Sequence, residues 1–141
     1  MANAGKIAWD KSYETGIEEI DDQHRILVNT LAEADRKLTE DTSLETLEAI
    51  TKDLLSYALY HFETEEEMMQ EYDYKGKRPE EFDFHMKQHR SFSAKVVEIR
   101  ESIKMGNPVD KEELIAFLTN WLITHINKTD KKLGSFLAEV R

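Results

Sequence analysis

Four stretches of this sequence carry apolar residues at alternating steps of three and four, and histidine interrupts the stripe in each one. The longest stretch shows the conflict most plainly. Leu47, Ile50, Leu54, Tyr57, Ala58, Met68 and Tyr72 mark one face of a helix predicted over residues 43–73. His61 and Glu65 fall on that same face, where leucine would be expected. An ionised carboxylate beside an imidazole is costly to bury unless something positive compensates it. A metal ion is the natural compensator. Two residues four apart on a helix also point the same way, as two ligands of one centre must.

The other three stripes repeat the pattern. A helix over 17–38 presents Ile17, Ile20, His24, Leu27, Leu31, Ala34 and Leu38. One over 80–105 presents Phe82, His85, His89, Phe92, Val96, Ile99 and Ile103, and one over 110–127 presents Leu114, Phe117, Leu118, Trp121 and His125. Asp21 and Asp22 place negative charge at the first N-terminus. Thr42 with Glu45, and Asp110 with Glu113, read as capping boxes for the second and fourth helices. Pro79 suits the first turn of the third, and Gly106-Asn107-Pro108 ends it. Amphipathic helices joined by short connections predict an all-α fold, an up-down-up-down four-helix bundle. Residues 1–16 are expected to form an N-terminal arm tacked on through Ile7, Trp9 and Tyr13. Leu133, Phe136 and Leu137 are expected in a short C-terminal tail. The chain, 1–141, reads as one domain large enough to bury a core without cross-links.

Composition removes several functions. With no cysteine among its 141 residues, the chain can form neither disulfides nor thiolate-held clusters. A formal net charge of −10 argues against nucleic acid or an anionic membrane as partner. No run approaches the roughly 18 apolar residues that a membrane-spanning helix needs. The first residues lack the apolar core of a signal peptide. A cytoplasmic protein, and a monomer, is the expectation.

All five histidines fall on predicted core faces. A single imidazole there is usually an ordinary core residue, but each buried ring has two nitrogens that need partners. The sequence shows few other inward polar groups to supply them. Structural zinc takes four ligands, so five imidazoles with carboxylates are too many for one zinc ion and call for two metals. Imidazole with carboxylate suits iron, zinc or copper. None of the histidines follows a Glu by three residues, so the site is richer in nitrogen than the Glu-x-x-His centres of ferritin-like bundles. Glu63, Glu66, Glu67 and Glu71 read as a solvated helix face, Met68 and Met69 as core filler, and Lys128, Lys131 and Lys132 as complements to a helix C-terminus.

Four segments in this order, Gly16-Ile-Glu-Glu-Ile-Asp-Asp-Gln-His24, His61-Phe-Glu-Thr-Glu65, His85-Met-Lys-Gln-His89 and His125-Ile-Asn-Lys-Thr-Asp130, resemble the hemerythrin family, specifically its single-domain bacterial members. The resemblance covers nearly the whole chain. It implies two iron ions (Fe2+/Fe3+) with an oxo or hydroxo bridge. By this resemblance His85, His89 and His125 bind one iron, His24 and His61 bind the other, and Glu65 and Asp130 bridge the two. The second iron then keeps one open position, where the resemblance implies reversible dioxygen binding for storage, delivery or sensing. Leu27, Phe62, Trp121, Leu122 and Ile126 sit at the positions that line the family's oxygen pocket. An unidentified protein that takes up the oxygen is a candidate partner. Asp130 lies five residues beyond His125 and would miss the face by simple periodicity, so a distortion near Lys128 has to bring it round. The rival readings are an enzyme on the same scaffold, with peroxidase, nitric-oxide-handling or ferroxidase activity, or a purely structural pair of zinc ions. With no inward Lys, Arg or sixth His to protonate a reduced oxygen species, carrying is favoured over activation.

Overall fold

A computed structural model of the chain describes residues 7–141, and residues 1–6 of the expected arm lie outside that range. Three long helices, α1 (Glu18–Glu40), α2 (Leu44–Glu71) and α4 (Pro79–Lys104), are joined by tight connections, with the single-turn α3 (Tyr74–Lys77) between the last two. The fourth long helix has three parts: α5 (Lys111–Thr124), a π-helical turn (His125–Asp130) and α6 (Lys131–Val140).

Hydrogen bonds between helices fix their directions. Gln23, early in α1, reaches Thr64 and His61 late in α2, so that pair is antiparallel. Glu66, late in α2, meets His89 in the first half of α4. Gln88 of α4 meets His125 and Thr129, late in the fourth helix. Lys111, at the start of α5, donates to the carbonyl of Leu38 at the end of α1. Each neighbour runs opposite to the next, which is the expected up-down-up-down bundle.

The helix starts are set by short polar side chains. Ser43, not Thr42, caps α2: its hydroxyl accepts from the Thr46 amide, and Asp41 ties back to both Ser43 and Thr46. Asp110 caps α5 as expected, accepting from the amides of Glu112 and Glu113. Asp21 does more than supply charge. Its buried carboxylate accepts from the Thr15 amide and hydroxyl and from the Gly16 amide, which folds the arm back onto α1. Ile7 is buried, with Trp9 and Tyr13 packed against the same core.

The fourth helix is longer than the sequence suggests. The polar run Asn127 to Asp130 resembles a terminus, yet Thr129 and Asp130 point inward and helical backbone continues to Val140. The residues expected as a tail therefore complete this helix, and Leu133, Phe136 and Leu137 are core. Lys131, expected to complement a helix end, instead donates to the Ser12 carbonyl of the arm. Gly134 lies so close to the arm that an added Cβ would sit 2.8 Å from the Thr15 carbonyl oxygen.

The apolar interior is divided in two. A large cluster contains Leu27, Leu31, Leu54, Ala58, Phe62, Phe92, Val96, Leu118, Leu122 and Ile126, and a smaller one holds Ile17, Ile20, Met69, Tyr74, Leu133, Phe136 and Leu137. Met69 is the inward residue here, while Met68 and Tyr72 are only partly buried. Between the clusters, on every long helix, lies a polar layer. His24 falls between Ile20 and Leu27, His61 and Glu65 between Ala58 and Met69, and His125 and Asp130 between Leu122 and Leu133.

Candidate metal centre

The polar layer consists of His24, His61, Glu65, His85, His89, His125 and Asp130, every one of them at most 3% exposed. The expected ligand set is thus brought together complete. Ring contacts divide the five imidazoles into a pair and a trio. His24 and His61 have centroids 4.6 Å apart, while His85, His89 and His125 lie 4.6 to 5.2 Å from one another.

The two carboxylates lie between these groups and face both. Glu65 Oε1 is 3.3 Å from His85 Nε2 and 3.1 Å from His89 Nε2, while its Oε2 is 3.5 Å from His61 Nε2. Asp130 Oδ1 is 3.1 Å from His85 Nε2 and 3.0 Å from His125 Nε2, while its Oδ2 is 2.7 Å from His24 Nε2. Each acid therefore turns one oxygen to the trio and the other to the pair. Two sets, Glu65-His85-His89-His125 and His24-His61-Glu65-Asp130, have donor atoms within 4.8 Å of one another and could each hold a metal ion.

Asp130 joins this layer because of the π turn. An α-helix returns to the same face after about 3.6 residues, so a fifth residue lies well off the face. The wider π-helical ring over His125–Asp130 absorbs the additional residue and puts both side chains on one side. The distortion that the sequence requires near Lys128 is this turn.

Several buried donor atoms are short of partners. Among the described residues, His24 Nε2, His61 Nε2, His125 Nε2, Glu65 Oε2 and both Asp130 oxygens make no hydrogen bond. His24 Nε2 is a telling case: it lies 2.7 Å from Asp130 Oδ2 but is not aligned to bond with it. Buried polar atoms are ordinarily satisfied, and an orphaned group calls for an explanation. Lone pairs that converge on a shared space instead of on each other are what a metal site needs, so the donor set fits a pair of metal ions.

The outward nitrogens are held differently. His61 Nδ1 donates to Gln23 Oε1 at 2.7 Å, His125 Nδ1 to Gln88 Oε1 at 2.7 Å, and His89 Nδ1 to Glu66 Oε2 at 2.8 Å. Donation from Nδ1 leaves Nε2 with its lone pair facing the layer, the tautomer that ligation requires. Gln23 is fixed in turn by donating to Thr64, and Gln88 by accepting from Thr129. The periodicity of the stripes does not reveal these holders. Glu66, expected on a solvated face, is a correction: its side chain is 37% exposed but its carboxylate turns inward to His89.

The ionisable groups register the crowding. Burial and Asp130 both act to raise the Glu65 carboxyl, but His61, His125 and His85 outweigh them and hold it well below the ordinary carboxylate range. Burial likewise acts to raise Asp130, and His125 and His24 bring it well below its usual value. Burial depresses the His85 imidazole, yet the close carboxylates of Asp130 and Glu65 lift it to about 10. In the metal-free chain, protons on His85 and His125, both held above the ordinary imidazole value by the neighbouring carboxylates despite burial, do part of the compensating that a cation would do.

An apolar cavity of about 20 Å³ adjoins the layer. Leu27, Phe62, Trp121 and Leu122 line it with Leu31, Leu54, Ala58, Phe92 and Leu118. Ile126 is fully buried but does not border it. Phe62 stacks on His89 at 3.9 Å and Trp121 on His125 at 4.5 Å, so these two rings separate cavity from imidazoles.

Comparison with known proteins agrees with this geometry. A family model described as the hemerythrin HHE cation-binding domain matches residues 15–137. The chain is 32% identical over 127 residues to a bacteriohemerythrin of Pseudomonas paraeruginosa, covering 88% of this chain and 76% of that protein. It is also 32% identical over 129 residues to a hemerythrin of Sipunculus nudus, covering 92% of each. A crystal structure of wild-type hemerythrin superposes with a TM-score of 0.83 at 22% identity, covering 94% of this chain and 98% of the other, a likeness of fold.

Proposed function

The chain belongs to the hemerythrin HHE cation-binding domain family, and on that premise we propose that it binds dioxygen reversibly at a non-haem centre of two iron ions. The observation that carries this reading is the double-facing disposition of Glu65 and Asp130, each with one oxygen toward the histidine trio and one toward the pair. In this reading His85, His89 and His125 hold one iron, His24 and His61 hold the other, and the two carboxylates are shared. When bound there, two iron ions with an oxo or hydroxo bridge would supply reversible two-electron exchange with dioxygen.

The chain's own residues prepare and protect the site. Gln23, Gln88 and Glu66 hold three rings in the ligating tautomer. The pair offers one imidazole fewer than the trio, so by ligand count the ion held by His24 and His61 would be the one with a position left for a small ligand. Leu27, Phe62, Trp121 and Leu122 present an apolar wall next to the layer, and such a wall excludes water and protons. Among the described residues, the cationic groups within ion-pair reach of Glu65 and Asp130 are the five histidines alone. Ligation makes these neutral. Among the described residues no cationic side chain is then left within reach of those carboxylates to protonate a reduced oxygen species, which supports a carrier over an enzyme.

The test is optical. Reduced protein under anaerobic conditions should hold two irons per chain and be nearly colourless. Air should bring up a charge-transfer absorption that disappears when oxygen is withdrawn. Absorption that never reverses, together with sustained turnover of peroxide or nitric oxide, would replace the carrier with an enzyme. No helix among the described residues is long and apolar enough to cross a membrane. The simplest setting is a cytoplasmic monomer, which fractionation and gel filtration would check.

A further inference from the structure

The three groups that hold outward histidine nitrogens are chemically unequal. Gln23 and Gln88 offer neutral amide oxygens to His61 and His125, whereas Glu66 offers a carboxylate to His89. Among the described residues, His24 Nδ1 and His85 Nδ1 have no partner within the chain. His89 is therefore the one imidazole of the five with an anionic partner on its far side.

Helix α2 grips this ring on three sides. Glu65 Oε1 lies 3.1 Å from its Nε2, Glu66 Oε2 lies 2.8 Å from its Nδ1, and Phe62 stacks on its face with an interplanar angle of 12°. Two consecutive acids thus serve opposite ends of one imidazole. Glu65 points into the polar layer, while Glu66 lies at the rim of a groove formed with Met69, Phe82 and Met86.

We infer that Glu66 is a positioning residue that makes His89 the strongest donor of the trio, and so biases the centre toward its oxidised state. The inference rests on the two-iron reading given above. A hydrogen bond to a carboxylate is roughly twice as strong as one to a neutral acceptor. It draws the Nδ1 proton outward and leaves more electron density on Nε2, which raises the basicity of the ligand. A more basic ligand stabilises ferric iron more than ferrous iron. The carboxylate is partly solvated, so screening moderates the effect without reversing its direction.

The experiment uses the full chain and three variants: Glu66→Gln, Glu66→Ala, and Glu63→Gln as an exposed control of equal charge change on the same helix. Iron per chain, iron retention against a chelator, and the midpoint potential of the centre are measured for each. Glu66→Gln keeps an acceptor of the same shape and should retain both irons, with a potential shifted upward and slower autoxidation in air. Glu66→Ala should lose about tenfold or more in iron retention. Glu63→Gln should match the parent in every readout. The inference is overturned if the Glu66→Gln potential equals that of the Glu63→Gln control, or if that variant sheds iron with no change in potential. A parent that takes up iron and oxygen while Glu66→Gln behaves identically sinks this inference alone. A parent that holds no iron sinks the two-iron reading with it.

Discussion

His125 and Asp130 stand five residues apart yet share one face of the fourth helix, with Nε2 and Oδ1 3.0 Å apart. The π turn makes this possible, and it gives the bundle a second acid that reaches both histidine groups. Asp130→Asn keeps the side chain's shape and removes its charge. Iron content should fall from two per chain to one or fewer while the helical circular dichroism is kept. Two irons retained in this variant would mean that Asp130 is not shared between the ions.

Glu65 and Glu63 differ by two residues on α2 and by burial, since the first is fully buried and the second exposed. Glu65→Ala should lose at least one iron, and Glu63→Ala should lose none. Metal analysis of the two purified variants side by side decides this. Equal losses would put the wrong face of α2 against the layer.

The cross-helix amides make a separate prediction. Gln88 Oε1 accepts from both His125 Nδ1 and Thr129 Oγ1 at 2.7 Å. Gln88→Ala frees the His125 ring to rotate and should cost roughly 10- to 100-fold in metal affinity. Competition against a chelator of known affinity would measure it, and an unchanged affinity would show that Phe62 and Trp121 orient the ring unaided.

Removing the metal should make stability sensitive to alkali. In the metal-free chain, the close carboxylates of Asp130 and Glu65 overcome burial and hold His85 up to about 10, against an ordinary 6.5. A raised folded value means the protonated ring stabilises the fold fully below about 6.5, and that stabilisation is lost as pH climbs through about 10. Chelator-treated protein should therefore melt at a lower temperature at pH 10 than at pH 7. Iron-loaded protein, whose imidazoles are already neutral, should change less. Parallel melting curves for both forms across this range provide the check, and equal losses would rule the explanation out.

Gly134 tests the packing of the arm. Gly to Ala within a helix ordinarily stabilises by about 1 kcal/mol. Here the added Cβ would meet the Thr15 carbonyl oxygen at 2.8 Å, and Thr15 is itself tied to Asp21. Overpacking of this kind costs about 1–3 kcal/mol. Gly134→Ala should lower the melting temperature by a few degrees, at about 2–4 °C per kcal/mol for a domain near this size, with both irons kept. A raised melting temperature would mean the arm yields freely.

Much of this molecule is legible in its sequence, for reasons that particular residues make clear. The stripes through Leu27, Leu54, Phe92 and Leu118 keep strict helical periodicity, so the bundle and the inward direction of all five histidines follow from spacing. Asp130 does not follow, because a search at 3.6 residues cannot register a step of five; the resemblance between motifs supplies it. Gln23, Gln88 and Glu66 lie off the stripes and reach across to another helix, so by pattern they look like surface. A faint signal exists for two of them, since Gln directly precedes both His24 and His89. The polar run ending in Asp130 disguises the continuation of the fourth helix for a related reason. Polar residues that face a buried ion look, in sequence, like polar residues that face water.

The amides of Gln23 and Gln88 each grasp an imidazole belonging to a different helix from their own. The angle of those rings therefore depends on how two rods lie against each other as well as on contacts within each rod. Any disturbance that slides one rod along its neighbour arrives at the centre as a twisted ligand. On the two-iron reading, iron retention would consequently serve as a gauge of bundle alignment, sensitive to distant substitutions that leave all seven residues of the polar layer unchanged.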